Sequence, residues 1–276
     1  MTTKTMILKP NKEHLGKPLI PSVAIPLAWD KAIQPIIKRM YLETKRELEK
    51  VFNETNFIGA MDASPVSQSR IVLNSIFLKY DKIFNDISKS IVDKMIASVM
   101  KNSTATLKMS LADYVNPLAI DRTATNLRLK EVIQASTEEA AALIKRIPAK
   151  YLGEVQGEVM RSITSGNGLK DLVPYLTKRY EGNAKWARNT AMDQVRKCHA
   201  SISNERMKKL GIKQFKWQHS HGSNQPRPLH MELSGKIFNY DAPPIIDEKT
   251  GERGLPSILP NCRCISIPVF FSPDEK

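Results

Sequence analysis

The sequence predicts a mainly α fold ending in a small α+β unit: long amphipathic helices, then a loop-rich module with a small antiparallel sheet. Three observations carry this. Apolar residues recur at three- and four-residue spacing through most of the first 210 positions, the period of one buried helix face. Beyond Gly211 the pattern changes to short runs rich in aromatic and β-branched residues, which suit strands. Residues 217–270 also collect three of the five histidines and two of the three cysteines, interleaved with proline and glycine. An ordinary core does not require that mixture, so this segment is expected to have a specific task.

Residues 1–26 hold Pro10, Pro18, Pro21 and Pro26 among scattered charges. They read as an extended N-terminal arm or, equally, a disordered leader. A helical domain is expected over 27–150. Its first helix begins at Leu27, with Ile33, Ile36, Ile37, Met40, Tyr41, Leu48, Val51 and Phe52 on the apolar stripe. Residues 53–67 are a loop by composition. Residues 71–100 carry Ile76, Phe77, Tyr80, Ile83, Phe84, Ile87, Ile91 and Met95, which fits one long helix or a helical hairpin. Pro117 interrupts, and a helix over 127–147 is expected to stop at Pro148, whose ring and missing N–H oppose helix continuation.

An α+β domain is expected over 151–276. It opens with a helix from about Glu154, a Ser-Gly-Asn-Gly turn at 165–168 and a short helix. A longer helix follows over 183–210. Gly211 is placed to cap it in the left-handed conformation, with Lys208 and Lys209 at the negative end of its dipole. Short strands are expected around 215–217, 236–240 and 264–267. The tip at 247–254 reads as a solvated hairpin or loop.

With 276 residues and 41% apolar content, the chain can bury a real core as one large domain or two smaller ones. A net charge of +14 and a pI near 9.6 point to nucleic acid, an acidic protein surface or an anionic membrane as partner. No apolar run approaches the roughly 20 residues that span a bilayer. The N-terminus lacks a signal-peptide core, so a cytosolic chain is expected. Three cysteines do not make a disulfide framework.

Two chemistries compete for the terminal cluster. On a strand, Cys262 and Cys264 share a face because side chains alternate. With His230 and either His219 or His221 they can complete a tetrahedral zinc site. Against this stand the C-x-C spacing and the intervening Arg263. In the other reading both cysteines are small buried side chains and His230 bonds a loop carbonyl. Arg227, held between Pro226 and Pro228, is expected to fix its loop through a carboxylate such as Asp241 or Glu232, or to face phosphate. Gly235, Asn261 and Arg263 are the other expected loop organisers.

Arg188, Arg196, Lys197, Arg206, Lys208 and Lys209, with Lys213 and Lys216, make 183–216 strongly basic. They read either as a solvated helix surface or as nonspecific contacts to double-stranded DNA phosphates, with steep salt dependence. Trp186 and Trp217 read as core anchors. No H-E-x-x-H, P-loop, G-x-S-x-G or paired-carboxylate motif occurs, and no catalytic residue is expected. The alternative is a metal-dependent nuclease using the terminal His/Cys cluster with Asn224.

The order of these motifs resembles a known family. Ala187-x-Asn189-Thr190-Ala191 on a helix and a Gly211-Ile212 step lead to a strand bearing Trp217. Then come Arg227-Pro-Leu-His230, Gly235 and Pro260-Asn-Cys-Arg-Cys264. Over about residues 160–270 this is similar to the phage Mu F-like family of minor head, or head morphogenesis, proteins. The chain departs from it at Ser223-Asn224-Gln225, where members often carry a carboxylate, and at Leu259-Pro260, where they often read His-Pro. The resemblance implies a structural, non-enzymatic component of a tailed-phage virion, present in few copies as an oligomer near portal and capsid. It would be made in the host bacterial cytoplasm during head assembly. No effector domain is expected after the family segment.

Overall fold

The computed structural model describes residues 13–55, 64–166, 169–220, 222 and 225–271. The expectations for 1–12 of the arm, 56–63 of the first loop, 167–168 of the Ser-Gly-Asn-Gly turn, and His221 and Asn224 lie outside those residues. In chain order the elements are β1 (Glu13–Leu15), α1 (Ala24–Thr55), α2 (Pro65–Ser110), α3 (Pro117–Arg122), a 3-10 turn (Thr123–Thr125), α4 (Leu127–Ser165) and α5 (Leu169–Lys209). There follow β2 (Gln214–Gln218), α6 (Pro228–Glu232), β3 (Ile237–Asn239), β4 (Ile245–Asp247), β5 (Glu252–Arg253) and β6 (Ile265–Phe271). The expected class is therefore the observed one. No helix among the described residues is long and apolar enough to cross a membrane.

Contacts divide the chain into two compact units, each discontinuous in sequence. One takes Pro26–Lys94 and Glu138–Ala191; the other takes Met1–Ile25, Met95–Thr137 and Met192–Lys276. This differs from contiguous segments at 27–150 and 151–276. Helices α2, α4 and α5 each contribute residues to both units, and periodicity along a helix does not reveal where its neighbours change.

The Pro26–Lys94/Glu138–Ala191 unit is helical. Trp29, Ile33, Ile37, Met40 and Leu48 of α1 are buried, as are Leu73, Ile76, Tyr80, Phe84 and Val92 of α2. Polar bonds fix the pairing of the stripes. Asp30 accepts from Arg188 Nε at 2.8 Å, Glu43 from Lys79 and Tyr80, and Tyr41 stacks on Tyr180 with centroids 4.6 Å apart. Trp186 is only half-buried, with Lys150 Nζ 5.5 Å from its ring centroid, rather than a core anchor.

Pro148 does not end its helix, and α5 runs through Pro174. An interior proline costs about 3 kcal/mol. Around Pro148 the side chains of Ile144, Ile147, Tyr151 and Leu152 are all buried. Each large apolar burial is worth about 1.5–3 kcal/mol, so the stripe outweighs the break. The same continuity joins the expected short helix and the helix over 183–210 into α5.

In the second unit a four-stranded antiparallel sheet has the order β1-β6-β2-β3. On β2 alternate residues are buried, which puts Phe215 and Trp217 into a core with Leu107, Leu111, Ile120, Met207, Leu233 and Tyr240. From residue 13 on the N-terminal segment is held against the second unit: Glu13–Leu15 pairs with β6, and Leu19 is buried. Gly16 follows because a Cβ there would lie 2.6 Å from Ser110 Oγ. Helix α5 closes with Gly211 at φ +78°; Ile212 N–H donates to Met207 O at 3.1 Å and Gly211 N–H to Lys208 O at 3.0 Å. This double bond pattern satisfies the last carbonyls of the helix.

Candidate functional site

The site grows from three short segments of the second unit. Pro228 starts α6 with its φ already helical, which suits its position at the N-terminus. Two residues later His230 is buried, its ring edge-on to Trp217 with centroids 5.2 Å apart. Gly235, at φ +86°, donates its N–H to Trp217 O at 2.8 Å and turns the chain into β3. The third segment precedes β6. Cys262 and Cys264 are buried and Arg263 between them is exposed, so the expected alternation holds although neither cysteine lies within a strand.

His230 joins these segments. Its Nε2 lies 3.0 Å from the carbonyl oxygen of Ile246 in β4. Its Nδ1 lies 3.5 Å from Cys262 Sγ and 3.6 Å from Cys264 Sγ. Because a carbonyl only accepts, Nε2 carries the ring proton in the neutral form, and Nδ1 presents its lone pair to the two sulfurs. Hydrogen bonding from the Cys264 thiol pulls the Cys262 thiol well below its usual range despite burial. The same bond to Cys262, with desolvation, pushes Cys264 up, while the Trp217 side chain acts on Cys264 in the opposite direction.

The surrounding loops are tied largely through backbone groups. Arg227 donates to Pro260 O at 3.0 Å rather than to Asp241 or Glu232, correcting the carboxylate expectation. Arg263 donates to Gly222 O. Asn261 takes φ +59°, and its N–H donates to Asp193 Oδ1 of α5 at 2.6 Å. Ser257, at φ +70°, donates its buried hydroxyl to Cys264 O at 2.6 Å. Asp193 and Ser257 carried no signal in the sequence, since their partners lie at 68 and seven residues' distance and involve backbone.

His219, expected as a fourth ligand, is buried but is not part of the His230–Cys262–Cys264 group; its backbone N–H donates to Ser234 Oγ at 3.1 Å.

The basic residues of α5 separate into different roles. Arg206, expected to face DNA, is fully buried. It donates to Thr123 Oγ1 at 2.7 Å, Thr104 Oγ1 at 2.8 Å, Ile120 O at 3.0 Å and Ser103 Oγ at 3.3 Å. Desolvation lowers its pKa. Beside it His199, also buried, is lowered to about 4 by burial and then by the Arg206 charge; its Nε2 is 3.2 Å from Thr106 Oγ1. Arg196 is half-buried and lowered by desolvation, then by Arg263. Arg188 pairs with Asp30, and Lys208 with Asp241 at 3.3 Å and Glu205 at 3.6 Å. Lys197 is half-buried, and Lys209 and Lys213 are exposed.

Residues 153–267 match the family model of Phage Mu protein F like protein. The matched span runs from within α4 to within β6 and includes the whole His/Cys group. An uncharacterized protein of Haemophilus influenzae (strain ATCC 51907 / DSM 11121 / KW20 / Rd) is 32% identical over 147 residues, which is 53% of this chain and 31% of that protein. The chain thus spans under a third of that relative's length. No solved structure matches.

Proposed function

We propose, with the family match over residues 153–267 as premise, that this chain is a structural minor head protein that acts in head morphogenesis of a tailed phage. It binds portal or capsid, resides in the virion in few copies, and is made in the bacterial cytoplasm. The match carries this reading, because it covers α5, β2 to β5 and the His/Cys group together rather than one short motif. The site supports a scaffold role: Arg227, Asn261, Arg263 and Gly235 each spend a hydrogen bond on holding one loop against another segment. A nuclease reading draws less support, since the His230, Cys262 and Cys264 side chains are all buried, away from where a polynucleotide would lie.

Contact with packaged DNA belongs to the same proposal. The +14 charge supplies long-range attraction, and the exposed Lys209 and Lys213 are better placed for phosphate than the buried Arg206. The test is a nonsense mutation in the encoding phage, complemented in trans. Infected cells accumulate aberrant or unpackaged heads, and wild-type protein restores viable particles. Normal yield of packaged heads without the chain would overturn the proposal.

A further inference from the structure

We propose that His230 Nδ1, Cys262 Sγ and Cys264 Sγ are three ligands of a zinc ion that pins the loops of the second unit. The inference stands apart from the head-protein reading. Its first support is distance. A tetrahedral zinc with Zn–N of about 2.05 Å and Zn–S of about 2.3 Å places a nitrogen and a sulfur ligand about 3.6 Å apart. The observed separations are 3.5 and 3.6 Å, and all three donor atoms lie within 4.8 Å of one another.

The second support is orientation. A zinc-binding histidine ordinarily donates its other ring N–H to a carbonyl or carboxylate, which fixes the tautomer and aims the lone pair. Ile246 O does this for His230 at 3.0 Å. The third is the polarity of the pocket wall. Trp217, whose ring meets that of His230 edge-on with centroids 5.2 Å apart, is fully buried, and its indole N–H has no hydrogen-bond partner among the described residues. An N–H facing a metal-bound thiolate is satisfied; one facing an apolar core is not.

The topology gives the ion a purpose. α6, β4 and the segment before β6 carry the donors and the orienting carbonyl, while β3, β4 and β5 have only three, three and two residues. Such strands contribute little stability alone. Binding releases the thiol protons to solvent, leaves two thiolates and a neutral imidazole on Zn²⁺, and turns metal affinity into folding stability.

The test uses the full chain. Purified in zinc-containing buffer and dialysed, it is expected to retain one equivalent of zinc. Cobalt substitution should give thiolate-to-metal charge-transfer absorption with the strong visible bands of a tetrahedral site. Cys262→Ala/Cys264→Ala should lose both while far-UV circular dichroism retains the helical signal. Should that variant unfold, the wild-type protein decides: a chelator should expose both thiols to Ellman's reagent and lower the melting temperature, and added zinc should reverse both. Zinc below stoichiometry, retention by the double variant, or thiols equally reactive before and after chelation would overturn the inference.

Discussion

Lowering the pH from 7 to 5 is expected to remove about 2 kcal/mol of stability through His199 alone. Burial and then the neighbouring Arg206 charge oppose protonation of this residue and lower its pKa from the ordinary 6.5 to about 4. The folded value lies below the unfolded one, so on acidification the unfolded chain takes up the proton first. Stability is therefore full above about pH 6.5 and falls until about pH 4. The whole shift is worth about 3.4 kcal/mol, at 1.36 kcal/mol per pKa unit, and a little over half of it is lost between pH 7 and pH 5. Other groups titrate in that window, so the assay is a difference: urea unfolding followed by circular dichroism across pH for the wild type and His199→Gln. The variant should start less stable or equal at pH 7 and then lose about 2 kcal/mol less than wild type by pH 5. Parallel profiles would show that His199 is hydrated or charged in the folded protein, contrary to its burial.

Arg206→Ala should cost about 3 kcal/mol: four bonds to a charged group at about 1.5 kcal/mol each, less the several kcal/mol that burying a guanidinium costs. Urea denaturation checks this, and a change below about 0.5 kcal/mol would return Arg206 to the surface. Lys209→Ala should leave stability within about 0.5 kcal/mol. It should lower the slope of log affinity for duplex DNA against log salt by about 0.9 in fluorescence anisotropy, if it contacts one phosphate; an unchanged slope removes Lys209 from the DNA account. Gly211→Ala should cost about 1 kcal/mol in thermal or urea unfolding. Its φ is +78° and nothing lies within 4 Å of an added Cβ, so the backbone conformation is the whole penalty. A neutral substitution would show that the cap relaxes.

The stripes of α1 and α2 were legible because one buried face repeats on the helical period: Ile33, Ile37, Met40 and Leu48 are buried as expected, and so are Tyr80 and Phe84. Phe215 and Trp217 were legible for the same reason at period two. Glu13–Leu15 gave no such signal; a three-residue strand owes its conformation to hydrogen bonds with β6, distant in sequence. The run through Pro148 was missed because local chemistry forbids what tertiary burial restores. The trio of His230, Cys262 and Cys264 was visible in the alternation around Arg263 and the scarcity of both residue types. Arg206 and Lys209 looked alike, since both sit on one basic helix. What separates them is the face each presents: Arg206 meets the hydroxyls of Ser103, Thr104 and Thr123, and Lys209 meets solvent.

Quantitative mass spectrometry of purified heads, taken before and after DNA packaging, tests the central claim most directly. A minor head protein is recovered from both particles at a low, fixed ratio to the major capsid protein. Absence from both would contradict the account and leave the His/Cys group to be tested as part of a nucleic-acid enzyme.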